Sequence, residues 1–303
     1  MKKILIDGRF VGVGESVSRY TIEILKGILN IDKENEYTLL IRSCGIKDTV
    51  QFLKLSPVIP AKAGIQKETI LDLRAPLSSY TVGPEDDKGR VSNNLRIEIL
   101  DIKHYSIREQ TKLLKFLNEE KFDLVHFTQF NHPICYKGKF IVTVHDLTML
   151  GHLHRQNPIK RIAFNRVMKA AAKNSAKILT VSKTSKQDII DYYGTEKDKI
   201  VVTYLGVDNK YNLSVRSRHE AISGFREKYK IPGEYILYTG MWKRHKNLFR
   251  MLQAFEKASK IGEIADRKVQ LVMAGKVDKK ETEVVKKIED LNSSLGRKAV
   301  VTT

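Results

Sequence analysis

A chain of 303 residues with 42% apolar content is long enough for two separate hydrophobic cores. Its 54 Lys and Arg against 35 Asp and Glu leave a formal charge of +19, which favours an anionic partner: nucleic acid, an anionic membrane surface or a phosphorylated substrate. The basic residues are spread along the chain and the aromatics follow no RNA-stacking pattern, so nucleic acid is not expected. Cys44 and Cys135 stand far apart without metal-ligand spacing, and no apolar run is long enough for a membrane span or a signal core, so a cytoplasmic location is expected.

Lys3 to Asp7 reads as a short buried strand, and apolar residues at Ile22, Leu25, Ile28 and Leu29 give the next segment a helical period. A second strand runs from Tyr37 to Ile41. The intervening loop supplies Gly12 and Gly14, the first two glycines of a nicotinamide fingerprint. The third position is Val17, however, and Arg42 stands where an acidic ribose ligand is wanted, so a dehydrogenase is excluded. The loop is then either a place of close backbone approach or a tight turn.

From Ser56 to Asn93 the texture changes: four of the seven prolines fall here and no period is sustained. PVIPAKAGIQ looks like translated bacterial interspersed-repeat sequence, and an inserted loop without catalytic role is expected over 56–93. The strand Leu95 to Leu100 follows. Ser106 and Glu109 then form a capping-box pair at the start of a helix.

Further on, DLVHFT and Phe140 to Val144 are apolar strands, the second delivering His145 and Asp146 at its carboxyl end. In a parallel sheet that is where substrates bind, although Asp146 has an alternative role as a loop cap. His132, His152 and His154 lack an acidic or cysteine partner at ligand spacing, so no metal site is expected. A helix from about Pro158 places Arg166, Lys169 and Lys173 opposite Ile162, Ala163, Val167 and Ala170, a basic face suited to an anionic membrane or to plain solvation. AKILTVS ends at Ser182, which either donates to a phosphate or caps the following helix, Lys183 to Tyr193. KIVVTYLGVD ends at Gly206. Strand and helix alternate throughout, predicting a parallel sheet.

The expected division is a first domain at 1–210, a linker at 211–234 with a helix from Ala221 to Tyr229, and a second domain at 235–303. This last opens with an apolar, buried-type strand from Tyr235. The strand ends near Gly240, ahead of a loop carrying Lys243, Arg244, His245 and Lys246 at the mouth of an amphipathic helix. Cations beside the unpaired N–H groups of a helix start make a phosphate clamp, or else a solvated basic loop.

Together IDGR with its GVG loop, YSIREQ, DLVHFTQFN, GKFIVTVHDLT, KILTVSKTSKQDII, KIVVTYLGVD, YILYTGMWKRHKNL and QLVMAGKVD resemble the retaining glycosyltransferases of family 4, in family order. The resemblance implies an α/β GT-B fold, two Rossmann-like doubly wound parallel-sheet domains, with a nucleotide sugar in the cleft between them. It implies donor diphosphate binding by Lys246, with Arg244 and His245 beside it and Gly12 and Gly14 approaching from the first domain. His145, with Asp146, would lie by the transferred sugar, and Ser182, Gly206 and Gly240 would line the cleft. It implies no cofactor beyond a GDP- or UDP-linked sugar, a hexose with mannose the single guess, and a glycan or lipid-linked acceptor.

The family's EGFGLPxLEA-type segment, whose two glutamates hold ribose and sugar, has no counterpart before Thr303. The second domain is therefore expected to be incomplete and the enzyme truncated, with poor turnover. The alternative is a non-catalytic fragment that binds sugar nucleotide or glycan, paired with a separately encoded remainder. A GT-B epimerase is a weaker third reading.

Overall fold

The computed structural model describes residues 1–13, 15–53, 94–148, 158–207, 211, 214–278 and 282–303. Gly14, His152, His154 and the expected insert at 56–93 lie outside them. The chain divides into two compact units, Met1–Gly206 and Val207–Thr303.

The first unit is a seven-stranded sheet. Its strands are β1 (Lys3–Asp7), β2 (Glu36–Ile41), β3 (Leu95–Ile99), β4 (Leu124–Phe127), β5 (Phe140–Val144), β6 (Lys177–Thr180) and β7 (Ile200–Val202), in the order β3-β2-β1-β4-β5-β6-β7. Every pairing is parallel. The direction of strand addition reverses at β1, so the ends of β1 and β4 flank a topological switch point. The helices are α1 (Glu15–Ile31), α2 (Ile46–Leu53), α3 (Leu114–Glu120), α4 (Pro158–Asn174) and α5 (Lys183–Tyr193). One core gathers Ile6, Ile22, Leu25 and Leu39, and the other Phe127, Phe140, Val142, Met168 and Ile189.

Two elements differ from the sequence expectation. The inward stripe of α4 is Phe164, Met168 and Ala171, while Ile162 and Ala163 are exposed on the side of Arg166, Lys169 and Lys173. Phe164 and Met168, four positions apart, take the core together with Ala171, and Phe164 packs on Phe130 with ring centroids 4.6 Å apart. The segment after Ser106 is helical from Ile107, as expected, but its hydrogen bonding is not α throughout. A π-turn occupies Glu109–Leu113 before α3 begins.

The second unit contains α6 (Val215–Tyr229), β8 (Tyr235–Thr239), α7 (Leu248–Ala258), α8 (Gly262–Asp266), β9 (Gln270–Ala274), α9 (Thr282–Ser294) and β10 (Val300–Thr302). Its parallel sheet has the order β10-β9-β8. One side is packed by Trp242, Leu248, Leu252, Phe255, Ile288 and Leu291, and the other by Phe225, Tyr229 and Ile231. The helix expected within a linker is thus part of this unit's own core. The sequence reads β8 as a buried strand; it lies at the sheet edge, with Ile236 46% and Leu237 49% exposed.

Candidate functional site

The carboxyl ends of β1, β4, β5 and β6 are tied together by side chain to backbone hydrogen bonds. Thr128, following β4, donates its Oγ1 hydrogen to Asp7 O at 2.7 Å and accepts from Thr21 Oγ1 of α1 at 2.9 Å. His145, following β5, places Nε2 3.1 Å from Thr128 O. A carbonyl only accepts, so Nε2 carries the hydrogen and Nδ1 holds the lone pair of the neutral ring. Burial favours that neutral form and holds the His145 pKa below the usual histidine value, against the opposing effects of the Thr128 bond and Asp146. Tyr20 meets the ring edge-on at 4.6 Å, and Ser185 Oγ donates to His145 O at 2.9 Å. The half-buried imidazole is thereby fixed in tautomer and orientation, and Nδ1 can accept from a hydroxyl.

The other rim candidates divide. Ser182 Oγ accepts from Ser185 N at 3.0 Å and donates to Ser185 Oγ at 3.0 Å, so of its two readings the structure shows the α5 cap. Asp146 accepts from Thr148 N at 3.0 Å, again a local cap. Gly206 is exposed in the segment after β7. Gly12 has φ +78°, and a Cβ there would sit 2.5 Å from Cys44 O, so this backbone approach requires glycine. His132 is fully buried, with Nδ1 2.9 Å from Phe130 O, among Phe127 and Phe140.

The sequence motif IDGR hides an ion network to which sequence reasoning assigned no role. Asp7, at the end of β1, receives Arg9 Nε and Nη2, each at 2.8 Å, and Arg9 Nη2 also donates to Glu109 Oε1 at 2.9 Å. All three side chains are buried. Burial opposes every charge here. Nevertheless the carboxylates raise the Arg9 pKa above its already high value, and Arg9 holds Asp7 below the usual carboxylate range. Glu109 Oε2 accepts from Tyr105 N at 3.0 Å, and Ser106 Oγ accepts from Glu109 N at 3.3 Å. The expected capping box is therefore half formed: the glutamate reaches past Ser106 to Tyr105 and Arg9. Phe10 stacks on His104 at 3.3 Å. A buried Asp and Arg two positions apart at a strand end was the available signal.

In the second unit the basic loop is anchored from below. Trp242 is buried in the core, and its backbone N–H donates to Lys276 O at 3.0 Å, beside a bridge to Val277. Gly240 (φ +151°) and Gly275 (φ +141°) end β8 and β9, and a Cβ on Gly275 would overlap Gly240 O. From this base a 3-10 turn, Arg244–Lys246, leads to Asn247 in the left-handed region at φ 55°, the N-cap position of α7. The Asn247 side chain makes no capping hydrogen bond, and the first turn of α7 holds no acidic residue. Lys243, Arg244, His245 and Lys246 are all exposed. The start of α7 thus combines N–H groups without a side-chain cap and a row of exposed cations.

Comparison with known proteins bears on the fold. Residues 78–211 match the model of Glycosyltransferase Family 4. An uncharacterized glycosyltransferase, MJ1607, of Methanocaldococcus jannaschii is 22% identical over 201 residues, covering 63% of this chain and 48% of its own. The matched segment thus spans about half the length of that curated relative. Among solved structures, Anabaena Alr3699/HepE aligns over 100% of this chain and 69% of its own with TM-score 0.59, at 13% identity in complex with UDP-glucose and 14% in complex with UDP and glucose. WaaG, a glycosyltransferase involved in lipopolysaccharide biosynthesis, aligns over 99% and 69% at 12% identity with TM-score 0.54. The fold is GT-B-like: two Rossmann-like parallel-sheet units, the second with three strands among the described residues.

Proposed function

We propose that the chain binds a nucleotide sugar and transfers its hexose, with retention, to a glycan or lipid-linked acceptor. The observation that carries this reading is the uncapped start of α7 behind Lys243–Lys246, a diphosphate-sized concentration of positive charge held by buried Trp242. Lys246, next to the helix mouth, takes the donor phosphate, with Arg244 and His245 supplementing its charge.

In such a transfer the bond between the anomeric carbon and the diphosphate oxygen breaks while the acceptor oxygen bonds to the same carbon. The acceptor proton passes to the departing phosphate oxygen. Charge grows on that phosphate, so the α7 N–H groups and Lys246 act where the transition state is most polar. His145, neutral and with Nδ1 unprotonated, accepts from a sugar hydroxyl and orients the ring. The donor is GDP- or UDP-linked, and mannose is the sugar we assign. Alr3699/HepE, solved with UDP-glucose, supports a nucleotide-sugar donor.

The reading places the reaction in the cytoplasm against an anionic membrane surface. It is supported by Ile159 and Ile162, exposed on α4 beside Arg166, Lys169 and Lys173. A second reading, binding without turnover, is favoured by one observation: Asp146, the carboxylate beside His145, is taken up as a local cap by Thr148 N.

Incubation with radiolabelled UDP-glucose and GDP-mannose, in the presence of a bacterial lipid extract, tests both. Label transferred to lipid or glycan establishes the first reading. Nucleotide-sugar binding without transfer establishes the second, and neither binding nor transfer overturns both.

A further inference from the structure

Tyr105 holds a backbone conformation that its side chain opposes. Its φ is +59°, in the left-handed region, where a bulky residue is an outlier that stores strain. The other non-glycine residues at positive φ among the described ones have local reasons. Lys121 and Lys230 are helix C-caps, Lys268 follows the end of α8, and Asn247 is of a type that tolerates the region. Tyr105 ends no helix. It stands just ahead of the π-turn at Glu109–Leu113, itself a departure from regular helix that functional sites favour.

The buried ion network imposes this conformation. Glu109 Oε2 accepts from Tyr105 N, while Glu109 Oε1 accepts from Arg9, itself bound to Asp7 at the end of β1. Ser106 Oγ secures the turn by donating to Lys103 O at 2.6 Å. The segment after β3, at the edge of the sheet, is thereby carried to the switch point: His104 stacks on Phe10, which follows β1, and the Tyr105 ring lies 6.1 Å from that of Phe130, which follows β4. The Asn131 side chain hydrogen-bonds the Tyr105 hydroxyl. Backbone and hydroxyl are both fixed, yet Tyr105 remains 57% exposed.

We propose that Tyr105 is the platform for the acceptor sugar, its ring receiving the C–H face of a pyranose. A tyrosine ring with a tethered hydroxyl presents an apolar plane with a polar edge, and a pyranose presents the same pairing. This role rests on the transfer reading above and makes the acceptor a saccharide, whether free or lipid-linked. It gives IDGR and YSIREQ a shared purpose. Asp7, Arg9 and Glu109 are positioning residues that hold the strained backbone, and Tyr105 makes the contact with the acceptor.

NMR of the wild-type chain with ring-labelled tyrosine, titrated with methyl α-D-mannopyranoside and methyl β-D-glucopyranoside, tests the platform. The Tyr105 resonance, identified by its absence from Tyr105→Phe, is expected to shift with at least one glycoside. Tyr105→Phe should bind that glycoside within about threefold of wild type, and Tyr105→Gly about tenfold more weakly. Glycine accepts this φ, so the fold is expected to hold, and circular dichroism checks it. UDP-glucose titrated into the same proteins separates acceptor from donor: its affinity should be equal in all three. A wild-type chain that binds UDP-glucose while neither glycoside moves the Tyr105 signal overturns the platform alone, and failure of UDP-glucose as well overturns the transfer reading with it. Equal glycoside affinity in Tyr105→Gly and wild type also overturns the platform.

Discussion

Arg9 and Glu109 lie one hundred positions apart in sequence and meet in the buried interior at 2.9 Å. Their contact ties the segment after β1, which contains Gly12, to the π-turn that precedes α3. Arg9 is shared between Asp7 and Glu109, so the network holds two carboxylates on one guanidinium. Such a cluster is stable while every member is present, and losing one partner leaves a charge stranded in a poorly polarisable interior.

Glu109→Ala is therefore expected to destabilise the first unit by about 3 kcal/mol, and Glu109→Gln by less, because the amide oxygen still accepts from Arg9 or Tyr105. Urea unfolding of the three proteins checks this. Equal stability of wild type and Glu109→Ala would show that the contact is not a structural tie.

His126 gives a pH dependence of definite sign. It is buried with Nε2 2.9 Å from Thr143 Oγ1, and burial lowers its pKa to about 4, with the neighbouring His145 acting the same way. The unfolded chain, at the ordinary histidine value of about 6.5, binds the proton more readily between those limits. Stability contributed by neutral His126 is complete above about pH 6.5 and is lost as pH falls toward 4, by up to about 3 kcal/mol. Urea midpoints measured across that range should fall on acidification, and less so in His126→Asn.

The two glycine ends of the second sheet make a steric prediction. Gly275→Ala places a methyl group on Gly240 O, with φ at +141°, and is expected to cost more than about 2 kcal/mol in the second unit. Gly233→Ala, which meets nothing within 4 Å, should leave the melting curve in place. A thermal scan of both variants decides the matter; an unaltered Gly275→Ala curve would contradict the β8–β9 approach.

Much of the alternating strand and helix pattern was legible because most first-unit strands are short, mainly apolar runs, as in Phe140 to Val144. The helix Lys183 to Tyr193 carries its start signal in Ser182. Positions that depend on what packs from elsewhere were not legible. Nothing local told Ile162 from Phe164 on α4, since both fit a helical period and the opposing Phe130 chooses between them. Nor does YILYT say whether it lies inside a sheet or at its edge. In the candidate site, the Lys243–Lys246 row and His145 could be read directly. The role of Glu109 could not, because its partner Arg9 is brought to it only by the fold.

The central claim is that the α7 mouth with Lys246 holds a nucleotide-sugar phosphate. Calorimetric titration of UDP-glucose and GDP-mannose into wild type, Lys246→Ala and the distant control Lys260→Ala tests it most directly. Loss of one charge-assisted contact should weaken binding by roughly tenfold to a hundredfold in Lys246→Ala and leave Lys260→Ala at wild-type affinity. Undiminished binding by Lys246→Ala, or no binding of either sugar nucleotide by the wild-type chain, would contradict it.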